Sequence, residues 1–327
     1  MVEGEGFEPS KHEAADLQSA GFDRSPTPPK IKVKKTARNS VTASLLCQLK
    51  FRKFKYLQMK KTFFSLNDKR ILEMLEENLY ENPLKILITD TTASTNEDAK
   101  VHIVNQPGDI TAHLSDQQTA GKGRNGKKWV SPKGKNIYLS IGWKSPLAYK
   151  DLEGLSLAVG VIIAKTLTRY SDSKVSIKWP NDVLIEGKKV SGILIETLDL
   201  RGQKGIGVVI GIGVNVHMSK KDGEKIDQMW TSLDEAFKKI HDRNEIVSNL
   251  LKEIIKLTKI FPKQGFRHYR SEFEGFDILR NKECSIISED SLRLVTVKGV
   301  NDKGELMVQE NSEYLSLRSG EVSIREL

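Results

Sequence analysis

Three glycines and four cations crowd the stretch Gly121-Lys-Gly-Arg-Asn-Gly-Lys127 and the lysine that follows it. Glycine lacks a Cβ, so such a loop lets backbone N–H groups approach a phosphate closely. Lys122, Arg124, Lys127 and Lys128, with no acid among them, would neutralise its charge. The spacing fits G-x-G-x-x-G and most of G-x-x-x-x-G-K-[ST], yet the neighbours exclude the usual owners of both. A P-loop needs Ser or Thr after its Lys to hold Mg²⁺, and Lys128 stands there. Both nucleotide patterns run into a helix. Here "WVSPKGKNIYLSIGW" is interrupted by Pro132 and Gly134, then alternates Ile137, Leu139, Ile141 and Trp143 with the period of a strand. A kinase would tolerate the strand, but H-R-D and D-F-G occur nowhere. The bland alternative is a solvated basic turn.

The flanking segments must position that loop. Residues 67–79 have the spacing of an amphipathic helix, with Asn67 or Asp68 as cap and Ile71, Leu72, Leu75 and Leu79 on one face. "LKILITD" (84–90) predicts a strand, and "TASTNEDAKVHI" a polar turn entering a helix. Ser94, Thr95 and Asn96 at that entry can cap the helix or meet a polar ligand. "DLEGLSLAVGVIIAKTLTRY" (151–170) predicts a buried helix. "VSIKWPNDVLIEGKKVSGILIETL" reads as strand, turn, strand, hairpin and strand, and "GIGVVIGIGVNV" as a continuous apolar strand. "RNEIVSNLLKEIIKLTKIF" has a clear helical period. Short strands joined by polar turns from residue 276 onward predict a small separate β-barrel.

The chain has 327 residues, 38% hydrophobic and 29% charged, the composition of a globular protein with room for two domains. No apolar run approaches the roughly 18 residues of a membrane span. Two cysteines, Cys47 and Cys284, allow neither a disulfide framework nor a cysteine-rich metal site, and six scattered histidines have no ligand spacing. A cytoplasmic location is expected. Residues 1–58 hold 11 of the 52 Lys and Arg against 6 of the 43 Asp and Glu, so more than half of the +9 net charge sits there. The basic balance is therefore no nucleic-acid signal for the body of the protein. Pro26, Pro28 and Pro29 and the acid-free basic run 30–55 lack a folding pattern. Residues 1–58 are expected to be disordered or an upstream extension, with Met59 as the authentic start. An intact mass beginning at Met1 refutes that.

Read together, "STN" (94–96), "QTAGKGRNGKKW" (118–129), "KWPND" (178–182), "KKVSGILIE" (188–196) and "GIGVNV" (211–216) stand in the order and approximate spacing of one family. The chain resembles the bacterial biotin protein ligases over about residues 66–325. The resemblance implies an α+β catalytic domain (59–275), a mixed sheet flanked by helices, and an SH3-like C-terminal barrel (276–327). It also implies a two-step reaction. The carboxylate of biotin attacks the α-phosphate of ATP, which is bound with Mg²⁺, to give biotinyl-AMP and pyrophosphate. A lysine of a biotin carboxyl carrier protein then displaces AMP. No covalent enzyme intermediate is implied, and the sequence offers no nucleophile elbow.

The resemblance carries over residue by residue. Arg124, Lys189 and Asp182 match catalytic positions. Ser94, Thr95, Asn96, Gln118, Lys122, Gly123, Arg124, Lys189 and Gly192 match biotin-binding ones. Lys122, Arg124, Lys127, Trp129, Asn215 and Trp230 match ATP-binding ones. No side chain is assigned to a metal. The family usually carries Arg where this chain has Lys122, which keeps the charge and loses the bidentate geometry. With Lys188 adjacent, a one-residue slip would exchange it for Lys189. The charge density predicts a loop that is mobile when empty and settles around the adenylate. Some family members are also repressors with an N-terminal helix-turn-helix, but residues 1–58 lack its pattern, so no sequence-specific DNA binding is expected. A lipoate or octanoate transferase, a protein that only binds the adenylate, and a homodimer remain open.

Overall fold

The computed structural model describes residues 65–75, 84–106, 108–170, 172–200, 202, 204–287, 292–319 and 323–326. All of these fall within the unit Lys55–Leu327; expectations for residues 1–58 and for Leu79 lie outside them. The chain runs through α1 (Asp68–Glu73), β1 (Leu84–Thr92), α2 (Thr95–Asn105), β2 (Ile110–Gln118) and β3 (Ile137–Ser145). It continues with α3 (Leu155–Thr168), β4 (Val175–Lys178), β5 (Asp182–Ile185), β6 (Lys188–Asp199) and β7 (Ile206–Val214). Then come α4 (Leu233–Phe237), α5 (Arg243–Gln264) and α6 (Arg270–Phe276). The last strands are β8 (Glu283–Ile287), β9 (Leu292–Val300), β10 (Leu306–Glu310), β11 (Glu313–Leu317) and β12 (Ser323–Glu326).

Strands β1 to β7 form one sheet in the order β1-β2-β3-β7-β6-β5-β4. β1 and β2 are parallel, joined by the crossover helix α2 that a parallel pair requires, and the other neighbours are antiparallel. The expected mixed sheet is thus present. Asn67 caps α1, its side chain accepting from Arg70 N. The buried helix expected over 151–170 starts only at Leu155, because Gly154 has φ 77° and cannot be its first turn.

Alternation along β7 explains both faces of the sheet. Val208, Ile210, Ile212 and Val214 point into the main core with Leu139, Ile141, Ile163 and Leu251. Gly207, Val209, Gly211 and Gly213 occupy the opposite face, where Val209 packs with Ala99 and Ile103 of α2. That second face is therefore built with few side chains of its own.

Strands β8 to β12 form an antiparallel sheet in the order β11-β10-β9-β8-β12. Its outer strands do not pair with each other among the described residues, so it is an open sheet rather than a closed barrel. Nor is it separate. The main core continues without a break into Ile286, Val297 and Leu306, and Ile278 N donates to Ile177 O at 3.1 Å. Trp179, almost fully buried, donates its indole N–H to Gly304 O at 3.0 Å. A turn that must bury a tryptophan needs a partner for that N–H, and the C-terminal sheet supplies it.

Candidate active site

All of the residues matched to catalytic, biotin-binding or ATP-binding positions line one cleft of about 1120 Å³ on the glycine-rich face of the sheet. One end is neutral and polar. Ser94, Thr95 and Asn96 are buried at the start of α2. Ser94 stands at the cap position, yet its side chain makes no capping bond, which leaves its hydroxyl available to the cleft. Thr95 N and Oγ1 lie 3.0 and 3.1 Å from Gln118 Oε1, and Ser140 Oγ stands 2.7 Å from Thr95 Oγ1 and 2.5 Å from Asn96 Oδ1. Asn96 Nδ2 donates to Glu196 Oε2 at 2.7 Å, and Lys100 Nζ holds Glu196 Oε1 at 2.6 Å. A Cβ on Gly211 would lie 2.3 Å from Asn96 Oδ1, so the amide presses directly on bare backbone.

The other end is cationic. Residues 121–128 form a small hairpin in which Lys122 bridges Lys128, Gly123 N donates to Lys127 O at 2.6 Å, and Trp129 N donates to Gly121 O at 2.9 Å. Asn125 (φ 53°) and Gly126 (φ 69°) make its turn in the left-handed region. The repulsion expected among four cations is relieved at Lys122, whose Nζ is 2.7 Å from Glu97 Oε1. That ammonium holds the Glu97 carboxyl below its ordinary pKa. Arg124 reaches across to Asn181 Oδ1 at 3.3 Å and to the backbone carbonyl of Ser319, in the turn that follows β11. Burial lowers the Arg124 pKa from its ordinary value, and the Asp182 carboxylate opposes that shift. Lys127 and Lys128 are exposed at the mouth.

Lys189 separates itself from Lys188 by geometry. Lys188 is exposed and turns to a smaller cavity of about 310 Å³ beside Met218 and Glu235. Lys189 is largely buried, with Nζ 2.8 Å from Asp182 Oδ1 and 5.6 Å from the centre of the Trp129 ring. Trp129 lies over the glycines of β6 and β7: a Cβ on Gly213 would be 2.5 Å from its Cε2, and one on Gly192 would be 2.9 Å from its Cζ3. Trp230 packs at 2.0 Å from the position of a Cβ on Gly223, and its backbone bridges Lys189. Asn215 is in the wall, but its amide is already committed. Nδ2 donates to Thr231 O at 3.1 Å, and Oδ1 lies 3.4 Å from Asn136 Nδ2.

Ser140, Glu196, Lys100, Glu97 and Asn181 are the groups that sequence reasoning missed. Ser140 and Glu196 did leave a signal, the first interrupting the apolar run Ile137–Trp143 and the second ending the apolar run Ile193–Ile195. Asn181 sits inside the quoted KWPND motif with no role assigned to it there, and Glu97 and Lys100 left none. Among the described residues no group of three or more His, Cys, Asp or Glu side chains converges as metal ligands, and no helix is long and apolar enough to cross a membrane.

A cleft with a neutral hydrogen-bonding end and a cationic end suits a ligand of the same polarity, such as a polar ring carrying a carboxylate that meets a nucleotide phosphate. Residues 88–215 match the model of the biotin/lipoate A/B protein ligase family. The bifunctional ligase/repressor BirA of Escherichia coli is 31% identical over 263 residues, covering 80% of this chain and 78% of that protein. The biotin–[acetyl-CoA-carboxylase] ligase of Mycobacterium tuberculosis is 34% identical over 168 residues, 50% of this chain and 60% of that protein. The solved biotin protein ligase from Aquifex aeolicus, in complex with biotin and ATP, is 28% identical with a TM-score of 0.63, covering 74% of this chain and 99% of that one. Sequence, fold and cleft agree, and the chain belongs to the biotin/lipoate A/B protein ligase family.

Proposed function

We propose that this chain is an ATP-dependent biotin–protein ligase acting in the cytoplasm on the lysine of a biotin carboxyl carrier protein. The observation that carries the reading is the polarity of this cleft, with Thr95, Gln118 and Ser140 at one end and Arg124, Lys122 and Lys189 at the other. A ureido ring has two N–H donors and one carbonyl acceptor, which the hydroxyls and amides of the neutral end can meet. The acyl chain would then run toward the cations.

In the first step a carboxylate oxygen attacks the α-phosphorus and the bond to the β-phosphate breaks, releasing pyrophosphate. Two anions must be brought together. Like charges 4 Å apart cost about 4 kcal/mol at an effective dielectric of 20, so Arg124 and Lys189 beside the reacting groups do most to lower the barrier. Magnesium would ride on the phosphate oxygens and water rather than on a protein cage. In the second step the carrier amine attacks the acyl carbon and AMP leaves. Asp182 would accept a proton from that amine, whose ordinary pKa of about 10.4 keeps it charged at neutral pH. Trp129 and Trp230 would wall the nucleotide, and Asn215 would act by holding Thr231 beside Trp230.

We also propose that the chain does not bind DNA sequence-specifically, from the prolines at 26, 28 and 29; a gel shift that survives physiological salt and competitor DNA would refute this. The ligase reading is tested with purified protein, ATP, Mg²⁺, biotin or lipoate and an apo carrier domain. The expected result is a carrier heavier by one biotinyl group and unchanged by lipoate. Biotin-dependent exchange of pyrophosphate into ATP that survives Arg124→Ala with Lys189→Ala would sink the mechanism.

A further inference from the structure

Glu97 follows directly on the three residues that line the neutral end of the cleft, yet it is not part of the lining. Its carboxylate turns outward to Lys122 at 2.7 Å and to Lys100 at 3.2 Å. The 121–128 hairpin is therefore tied to the body on two sides. Arg124 makes one tie, to Asn181 and Ser319 O, and Lys122 makes the other, to the first turn of α2.

The two ties differ in kind. Arg124 is part-buried and bonds to neutral oxygens. The Lys122–Glu97 pair is half exposed, with side chains 51% and 43% accessible. An exposed pair is weak and salt-sensitive, so it can open and reclose on the timescale of a loop. Lys122 is also the one cation of the hairpin with a carboxylate within 4 Å among the described residues. The anchor on the other side is held in turn. Lys100 links Glu97 to Glu196, and Glu196 fixes Asn96 of the cleft. Glu97 thus joins the edge of the hairpin to the framework of the site without reaching the reacting atoms.

We propose that Glu97 is a positioning residue that latches the glycine hairpin through Lys122 and so slows escape of the bound acyl adenylate. The adenylate half of this rests on the ligase reading above; the latch itself does not. A mixed anhydride is lost to water unless the site stays closed until the carrier arrives, which makes its retention the quantity such a latch would set.

The test uses the full chain with Glu97→Gln, which removes the charge and keeps the shape. Amide hydrogen exchange over 122–128 is measured on ligand-free protein, and adenylate retention after gel filtration of enzyme loaded with biotin and ATP. The variant is expected to exchange about threefold to fivefold faster at low salt, the scale of one exposed ion pair. Wild type should approach it as NaCl rises from about 0.05 M to about 0.5 M. Adenylate escape should quicken by a similar factor, pyrophosphate exchange at saturating substrates should stay within about twofold, and Glu97→Asp should fall between. Equal amide exchange in wild type and variant overturns the latch, as does faster exchange with unchanged escape. A raised biotin KM with unchanged escape would instead assign Glu97 to Asn96 through Lys100, also overturning it. If wild type forms no adenylate, the ligase reading fails and the amide exchange alone decides the latch.

Discussion

The Lys189 ammonium lies 2.8 Å from a carboxylate oxygen of Asp182, and the two side chains come from adjacent antiparallel strands, β6 and β5. Both are mostly withdrawn from solvent, at 15% and 22% exposure, so neither is a surface charge whose loss would pass unnoticed. Lys189→Met should lower pyrophosphate exchange by about 100-fold or more, the scale of one preorganised charge at a developing anion. Asp182→Asn should slow carrier modification by about 10-fold to 100-fold while exchange falls less. The double-mutant cycle should return a coupling of about 1–3 kcal/mol. Additive effects would mean that the pair does not act as a unit.

Gly213→Ala would place a methyl 2.5 Å from Trp129 Cε2, inside any tolerable contact. The indole has to move, at a cost of about 1–3 kcal/mol typical of overpacking. The KM for ATP should rise by about tenfold with a changed tryptophan emission. Gly108→Ala, where an added methyl meets nothing within 4 Å, should leave both unaltered.

His113 on β2 packs edge-on against His102 of α2, ring centres 5.4 Å apart. Burial, then the neighbouring His102, lowers its pKa from 6.5 to about 4. The unfolded chain therefore binds a proton more readily than the folded one between those values. Stability from this group is full above pH 6.5 and is lost as pH falls through about 4, on the order of 3 kcal/mol in all. Urea denaturation at stepped pH should show that slope, and His113→Gln should flatten it. A wild-type profile level from pH 7 to pH 4 would contradict the burial of a neutral ring.

Trp179→Phe removes the indole N–H from the buried carbonyl of Gly304. Leaving that acceptor without a donor should destabilise the protein by about 1–3 kcal/mol. Hydrogen exchange should rise first in β9 and β10. A loss confined to the large sheet would show that the C-terminal strands dock by other means.

Much of this architecture can be read from period alone. Ile137, Leu139, Ile141 and Trp143 all face the main core, as their alternation predicts. β7 is more instructive. Its run reads as uniformly apolar, but only its even positions enter the main core, while three of the four odd ones are glycine. The polar landmarks around the loop come to one cleft because their order along the chain is also an order of neighbouring strands. What period cannot supply is cross-sheet register. Ser140 meets Asn96 only because α2 lies across β3, and Glu97 meets Lys122 only because the hairpin folds back over that helix. Those contacts depend on crossing angles to which no local pattern refers. Asn215 shows the converse: its position is legible from the motif, and its amide nonetheless serves the backbone of Thr231.

The bare glycines beneath Trp129 also bear on any effort to broaden the range of nucleotides this protein would accept. A floor that already ends at its own backbone has no atoms left to trim. Room for a bulkier donor has to come from the lid, by shortening Trp129 itself, or from the side wall at Tyr138. Swapping the lid removes the ring stacked beside the Lys189 ammonium, so a wider mouth and a slower reaction should arrive together.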